Sequence, residues 1–361
     1  MSSTSSISAL IDGLINEAAQ APRLFSDLAK IERYIAESYK TRALIELLQN
    51  ADDAGATEFI AQSVDDGLVV ANNGRAFTIA DVEALCRSGA SNKQRGGATI
   101  GYRGVGFKSV VNLAERVCVF SGEQRFIFDR DRTRSVLGFE QDVPLIRIPH
   151  LVEAGDANEK LIGGWRGHYT TVFFFASLNS RLLLDDVGAL ESGCLLFLNQ
   201  IERVTLRIAG VDRDFIRSSH AANNRRFILL ADTFVPSAWE ILSGEGDRIA
   251  RVALKMDEDR IVPVPFDQAT IHSFTPTTEY AGAPVKLNGD FTTDPSRKTV
   301  DLDSTSSDES AFYLGAFVLL LLSRKVTQQL GDSRYVVLFG WHRISLSADW
   351  ESLARTVPAM W

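Results

Sequence analysis

The run Ala43-Leu44-Ile45-Glu46-Leu47-Leu48-Gln49-Asn50-Ala51-Asp52-Asp53-Ala54 constrains this chain more than any other stretch. It reads as one helix, with Thr41 predicted as the N-cap and Gly55 as the C′ residue. At about 100° per residue, Glu46, Asn50 and Asp53 fall on one stripe, while Leu44, Leu47, Leu48 and Ala51 cover the opposite side. One face suits a core; the other aligns a carboxylate, a carboxamide and a second carboxylate, a set suited to a metal-phosphate. By itself, the stripe is also what an ordinary amphipathic surface helix would show. Other motifs must decide.

Three more occur in order along the chain. Val69-Val70-Ala71-Asn72-Asn73-Gly74-Arg75-Ala76-Phe77 is a β-branched run ending in a polar turn. Thr99-Ile100-Gly101-Tyr102-Arg103-Gly104-Val105-Gly106-Phe107-Lys108-Ser109 then leads into a helix-like segment predicted over 107–115. Its glycines let backbone N–H groups approach anionic oxygens, and a helix starting near Phe107 would point its positive end at the same place. It is not a Walker A loop, because Phe107 occupies the lysine position and pushes Lys108-Ser109 one place too far. Nor does it have the glycine order of a dinucleotide-binding fingerprint. The third motif, Tyr169-Thr170-Thr171-Val172-Phe173-Phe174-Phe175, is a strand opening on threonines.

This order resembles the Bergerat-fold, or GHKL, ATPases: type II topoisomerase subunits, heat-shock-90 chaperones, histidine kinases and MutL-type repair proteins. The wording ELLQNADDA, NNGRAF and GYRGVGFKSV is closest to the sacsin/NO VEIN branch. The resemblance is strong over residues 40–180 and weaker to about residue 300. It implies ATP and Mg²⁺ as ligands and an α+β fold, a two-layer α/β sandwich followed by a smaller transducer-like α/β domain. Glu46 stands where relatives place the general base, Asn50 where they place a Mg²⁺ ligand, and Asp53 where an acidic residue lies near the nucleoside. The block Gly101, Gly104, Val105, Gly106, Phe107 and Lys108 matches the phosphate-binding segment. Asn72, with Asn73 as runner-up and Gly74 completing the turn, stands at the adenine-binding turn, where most relatives have Asp. A carboxamide oxygen can still accept from an amino group, but more weakly than a carboxylate. Thr171 matches a threonine that supports this contact. Residues 86–100, with Lys93 and Arg95, match a lid, and Arg297 and Lys298 are candidates for a basic contact to the γ-phosphate.

Organisation can be read from these markers. Residues 1–178 are expected to form the ATP-binding domain, with two amphipathic helices over 7–39 broken at Pro22. Residues 179–305 would form the transducer-like domain, with a helix near 185–197 and strands at 203–208, 227–230 and 248–255. Residues 306–361 would hold a helix opened by the Ser306-x-x-Glu309 capping box, and a tail.

Composition supports a soluble, cytoplasmic protein. A net charge of −8 over 361 residues argues against a constitutive nucleic-acid binder. Cys86, Cys118 and Cys194 have no metal or disulfide spacing, and Met1–Ser8 lacks the basic start of a signal peptide. The apolar run 311–322 is far short of the ~20 residues of a membrane span. The leading expectation is a Mg-ATPase whose nucleotide state drives a lid or clamp movement for a protein client or partner subunit. The alternative is a nucleotide-binding scaffold with little or no turnover. A histidine kinase is disfavoured because the first histidine, His150, comes after the helix and glycine motifs.

Overall fold

The computed structural model describes residues 3–315 apart from 40, 88–105, 157–158, 223–224, 233–235, 245–248, 259, 282, 295–297, 302, 306 and 313. It divides into two units, one formed by Met1–Glu191 with Asn199–Phe215, the other by Ser192–Leu198 with Ile216–Trp361.

The first unit begins with α1 (Ser3–Gln20) and α2 (Pro22–Ser38), with Pro22 in the first turn of α2, where its missing N–H costs nothing. Ile7, Ile11, Leu14 and Ala18 line the buried face of α1, and Phe25, Ala29, Glu32 and Ala36 that of α2. Then come α3 (Ala43–Asp53), β1 (Glu58–Val64), β2 (Gly67–Asn72) and α4 (Ile79–Cys86). Helix α4 opens on a full capping box between Thr78 and Asp81. A short 3-10 helix, Gly106–Asn112, precedes β3 (Ala114–Ser121), β4 (Gln124–Asp129), α5 (Arg130–Leu137), β5 (His150–Leu151), α6 (Glu159–Arg166), β6 (Thr171–Leu178), α7 (Ser180–Ala189) and β7 (Arg203–Ile208).

These strands run in the order β7-β1-β2-β6-β3-β4-β5. Among the described strands of this unit, β1 and β7 pair parallel, and β1–β2, β2–β6, β6–β3, β3–β4 and β4–β5 pair antiparallel. Because β7 pairs along β1, the chain stays with this unit well past residue 178. The register sets Val70, Phe173, Val119 and Phe126 in one row across four strands. Phe107 of the 3-10 helix packs on Phe173 at 5.6 Å, so the helical layer and the glycine block's end lie on this face. The opposite face carries Val69, Phe174, Cys118 and Ile127, packed with Ile162, Trp165 and Tyr169 around α6. The unit is thus α+β with a helical layer on one face, to which α6 adds a cover on the other. Two-sided burial explains why β2, β3 and β6 read as continuous apolar runs rather than alternating ones.

Strand β8 (Val211–Ala222) carries the chain from the first unit into the second. There the strands are β9 (Arg225–Asp232), β10 (Ser237–Ser243), β11 (Ala250–Asp257), β12 (Arg260–Val262), β13 (Thr270–Ser273), β14 (Thr275–Tyr280) and β15 (Lys286–Gly289). From β9 onward they pair antiparallel except β13 with β15. Their core includes Val252, Leu254, Ile271, Leu287, Phe291 and Leu314. The helix predicted near 185–197 is instead α7, succeeded by a 3-10 turn at Ser192–Leu195. Ser306 and the helix predicted beyond residue 315 lie outside the described residues.

Candidate functional site

Helix α3 is buried almost all round. Of its stripe, Glu46 is 2% exposed, whereas Asn50 and Asp53 stay partly open beside buried neighbours. Thr41 is not its cap. Arg42 holds the N-cap position without a side-chain cap bond, and Thr41 takes a left-handed φ of 66°. The cap comes from a distance, since Asp186 of α7 accepts the N–H groups of Ala43 (2.8 Å) and Leu44 (3.1 Å). Burial pushes the Asp186 carboxyl up to about 7; the two backbone bonds and Arg42 oppose that shift, and the Glu46 charge adds to it. At the other end, Gly55 has φ 77°, as a C′ residue should. There Asp52, also buried, accepts from the backbone N–H groups of Asn199, Gln200 and Ile201.

The turn after β2 packs against that same end. A Cβ on Gly74 would lie 3.0 Å from both Cβ and O of Ala54, and the Arg75 N–H donates to Ala54 O at 2.8 Å. Asn72, 6% exposed, accepts the Gly74 N–H on Oδ1 (3.1 Å). Asn73 is committed elsewhere: its Oδ1 accepts from the Thr57 and Glu58 N–H groups, and its Nδ2 donates to Thr57 Oγ1. That set closes the entry to β1 and ties the Asn73 amide, the runner-up at the turn, to Thr57 and Glu58. Asn72 lies opposite Thr171 on β6, and Thr171 opposite Ser121 on β3. The two hydroxyls are 2.6 Å apart, and Ser121 Oγ also accepts the Phe77 N–H. A row of three small polar side chains thus ends the otherwise apolar face.

The glycine block meets α3 at its last residue. A Cβ on Gly106 would fall far inside van der Waals contact with Glu46 Oε2, so Gly106 leaves the space that this carboxylate fills. Gly106 opens a seven-residue 3-10 helix and not the helix expected over 107–115, because β3 already starts at Ala114. Phe107 is buried on Phe173 and is a packing residue. Lys108 also departs from expectation. At 4% exposure, its Nζ donates to Ile146 O (3.3 Å) and lies 3.7 Å from Glu32 Oε1. Glu32 in turn accepts the N–H groups of Leu145 and Ile146. Burial lowers the Lys108 pKa, and Glu32 opposes that shift. This ammonium faces the protein interior.

Gly101, Gly104, Val105, Lys93, Arg95 and the lid expected over 86–100, beyond its first two residues, lie outside the described residues, as does Arg297. Lys298 sits in a loop closed by Asp294, whose Oδ1 accepts its N–H, while its O accepts from Thr278. Among the described residues no group of three or more His, Cys, Asp or Glu is placed to hold a metal, and no helix is long and apolar enough to cross a membrane.

Residues 60–136 match the family model of the Sacsin domain. The chain is similar to Protein NO VEIN of Arabidopsis thaliana, 25% identical over 293 residues that cover 74% of this chain and 10% of that protein. It is similar to Sacsin of Homo sapiens, 33% identical over 108 residues that cover 25% of this chain and 2% of that protein. The chain therefore spans a tenth or less of the curated relatives it matches. Among solved structures it is similar to the B-subunit of the DNA gyrase from Myxococcus xanthus, at 9% identity and a TM-score of 0.33 over 86% of this chain and 96% of that one.

Sequence reasoning missed three residues that shape the site. Ser121 ends β3 as an ordinary polar residue, and only strand register brings it to Thr171. Asp186 carries no local signal and Asp52 only a slight one, because each caps backbone more than 130 residues away in sequence. The Asp52-Asp53 pair was the one hint, since two adjacent carboxylates on a helix cannot share a face.

Proposed function

We propose that this chain binds Mg-ATP at the edge of α3 and hydrolyses it, with Glu46 as general base. The observation that carries this reading is the contact of Gly106 with the Glu46 carboxylate. It joins the end of a glycine-rich block to the one fully buried acid of the α3 stripe. A carboxylate held there can take a proton from a water attacking a γ-phosphate. Backbone N–H groups of the glycine block would bind the phosphates.

The open end of the stripe suits the ion. Asn50, partly exposed, offers a neutral oxygen to a Mg²⁺ held chiefly by the nucleotide's own phosphates. When bound, Mg²⁺ would neutralise charge on those phosphates. Asn72 and Thr171, backed by Ser121, would hold the base, and Asp53 would lie toward the nucleoside. The Asn72 amide is oriented by Gly74, because the oxygen must face that N–H. The ATP cycle would serve a conformational change for a protein client or partner subunit.

The test is phosphate release with Mg²⁺ and each of the four nucleoside triphosphates, beside calorimetric binding. Glu46→Ala should keep ATP affinity and lose about 10²-fold or more of turnover. Undiminished turnover in that variant would remove Glu46 as the base. Binding without turnover in the wild type would make the chain a nucleotide-dependent scaffold, a reading that the neutral Asn72 favours.

A further inference from the structure

Helix α3 carries the proposed base but does not cap itself. Its first two N–H groups are both taken by the Asp186 carboxylate, 1% exposed, on the buried face of α7 beside Leu183 and Val187. Burying a carboxylate among apolar neighbours is costly unless hydrogen bonds offset it. Here the two offsetting bonds go to the turn that places Glu46. The charged groups acting on Asp186 are Arg42 and Glu46, from the start of α3.

Glu46 sits one turn inside the helix, with no spare room between its carboxylate and Gly106. A small slide of the start of α3 would therefore move the carboxylate off its position. We infer that Asp186 is a positioning residue for Glu46: it fixes where α3 begins, and so where the carboxylate stands against Gly106. This rests on the proposed role of Glu46 as base. Asp186 need touch neither nucleotide nor water to act. Its ionised form is the better acceptor for two N–H groups at a helix start. The two N–H bonds favour the ionised carboxyl while burial opposes it and sets the carboxyl at about 7, so protonation as pH falls from 8 to 6 loosens this local hold on α3 even as it relieves the cost of burying the charge.

The experiment uses the full chain with Asp186→Ala and Asp186→Asn, the second keeping one acceptor if the first fails to fold. Hydrogen exchange without nucleotide should speed up in both variants at residues 43–47, while β2, β3 and β6 keep their protection. Turnover in Asp186→Asn should fall roughly 10- to 100-fold, as expected for a displaced catalytic group, with ATP affinity unchanged. Wild-type turnover should drop between pH 8 and 6, whereas that of Asp186→Asn should be low and flat across this range. Unchanged exchange at 43–47, affinity lost in step with turnover, or a pH profile that survives in the Asn variant would each overturn the inference. Should the wild type not hydrolyse ATP, the proposed function fails, and the exchange measurement alone decides whether Asp186 holds α3.

Discussion

At the scale of single residues, what a motif residue touches decides its role. Gly106 reads from sequence as a place for a phosphate to approach the backbone, but the structure adds a steric reason, the room taken by Glu46. Gly106→Ala should therefore cost about 10²-fold in turnover while leaving the melting temperature within a few degrees. Phosphate release and a thermal scan on the same preparation test it, and normal turnover would mean that the carboxylate has slack. Lys108 makes the opposite case. The sequence places a lysine beside a phosphate loop, and nothing in its neighbours reveals that Glu32, Leu145 and Ile146 close around it from distant parts of the chain. Lys108→Met removes one partner of a buried pair and should destabilise by about 3 kcal/mol, with ATP affinity kept below the transition. A drop in affinity without a drop in stability would return Lys108 to the phosphate site. Glu46 and Gly106 stood out in the sequence by residue type alone; the orientation of Lys108 did not, because tertiary packing alone sets it.

Among elements, α3 is held at both ends by carboxylates that the chain delivers from or to remote segments. Asp186 grips its start, and Asp52 near its end grips Asn199–Ile201, the segment that leads into β7. The helix is thereby tied to the parallel β1–β7 edge of its own unit. Asp52→Ala removes the acceptor for three successive N–H groups and should cost about 3 kcal/mol; Asp52→Asn should cost less, because its oxygen still accepts. Urea denaturation of both variants measures this, and a loss in Asp52→Ala within experimental scatter would show that water replaces the anchor. The element order itself was largely readable in this unit. Strands β2 and β6 were legible from the β-branched and aromatic runs at Val69–Ala71 and Thr171–Phe175. Helices α5 and α6 were not, since RDRTRSVL is mostly polar and the other carries two consecutive glycines, neither showing an apolar stripe of ordinary width. In the second unit, β10 and β12–β14 were missed as strands for a related reason: they are short, and polar residues or proline interrupt them.

For the whole molecule, pH should act through two buried groups with opposite signs. Burial first, then the Arg132 charge, holds His150 down at about 4 against an ordinary 6.5, with Asp129 and Asp156 opposing. Its folded pKa is depressed, so its contribution is present above about 6.5 and is lost as pH falls toward 4. Asp186 is raised from 3.8 to about 7, so its contribution is full below about 4 and is lost as pH rises toward 7. The shifts correspond at most to roughly 3 kcal/mol of pH-dependent stability for His150 and roughly 4 kcal/mol for Asp186. Over pH 4–7 the two run against each other, and the wild type should show a flatter stability profile than either group alone would give. Removing one should expose the other. His150→Gln keeps a partner for Thr133, whose Oγ1 lies 2.8 Å from His150 Nε2, and should leave a protein that gains stability as pH falls from 7 to about 5. Asp186→Asn should do the reverse and lose stability over the same interval. Denaturation midpoints for wild type and both variants at pH 5, 6 and 7 measure it. If all three proteins give parallel profiles, neither group titrates in the folded state over this range, and the pH dependence assigned to Asp186 falls with it.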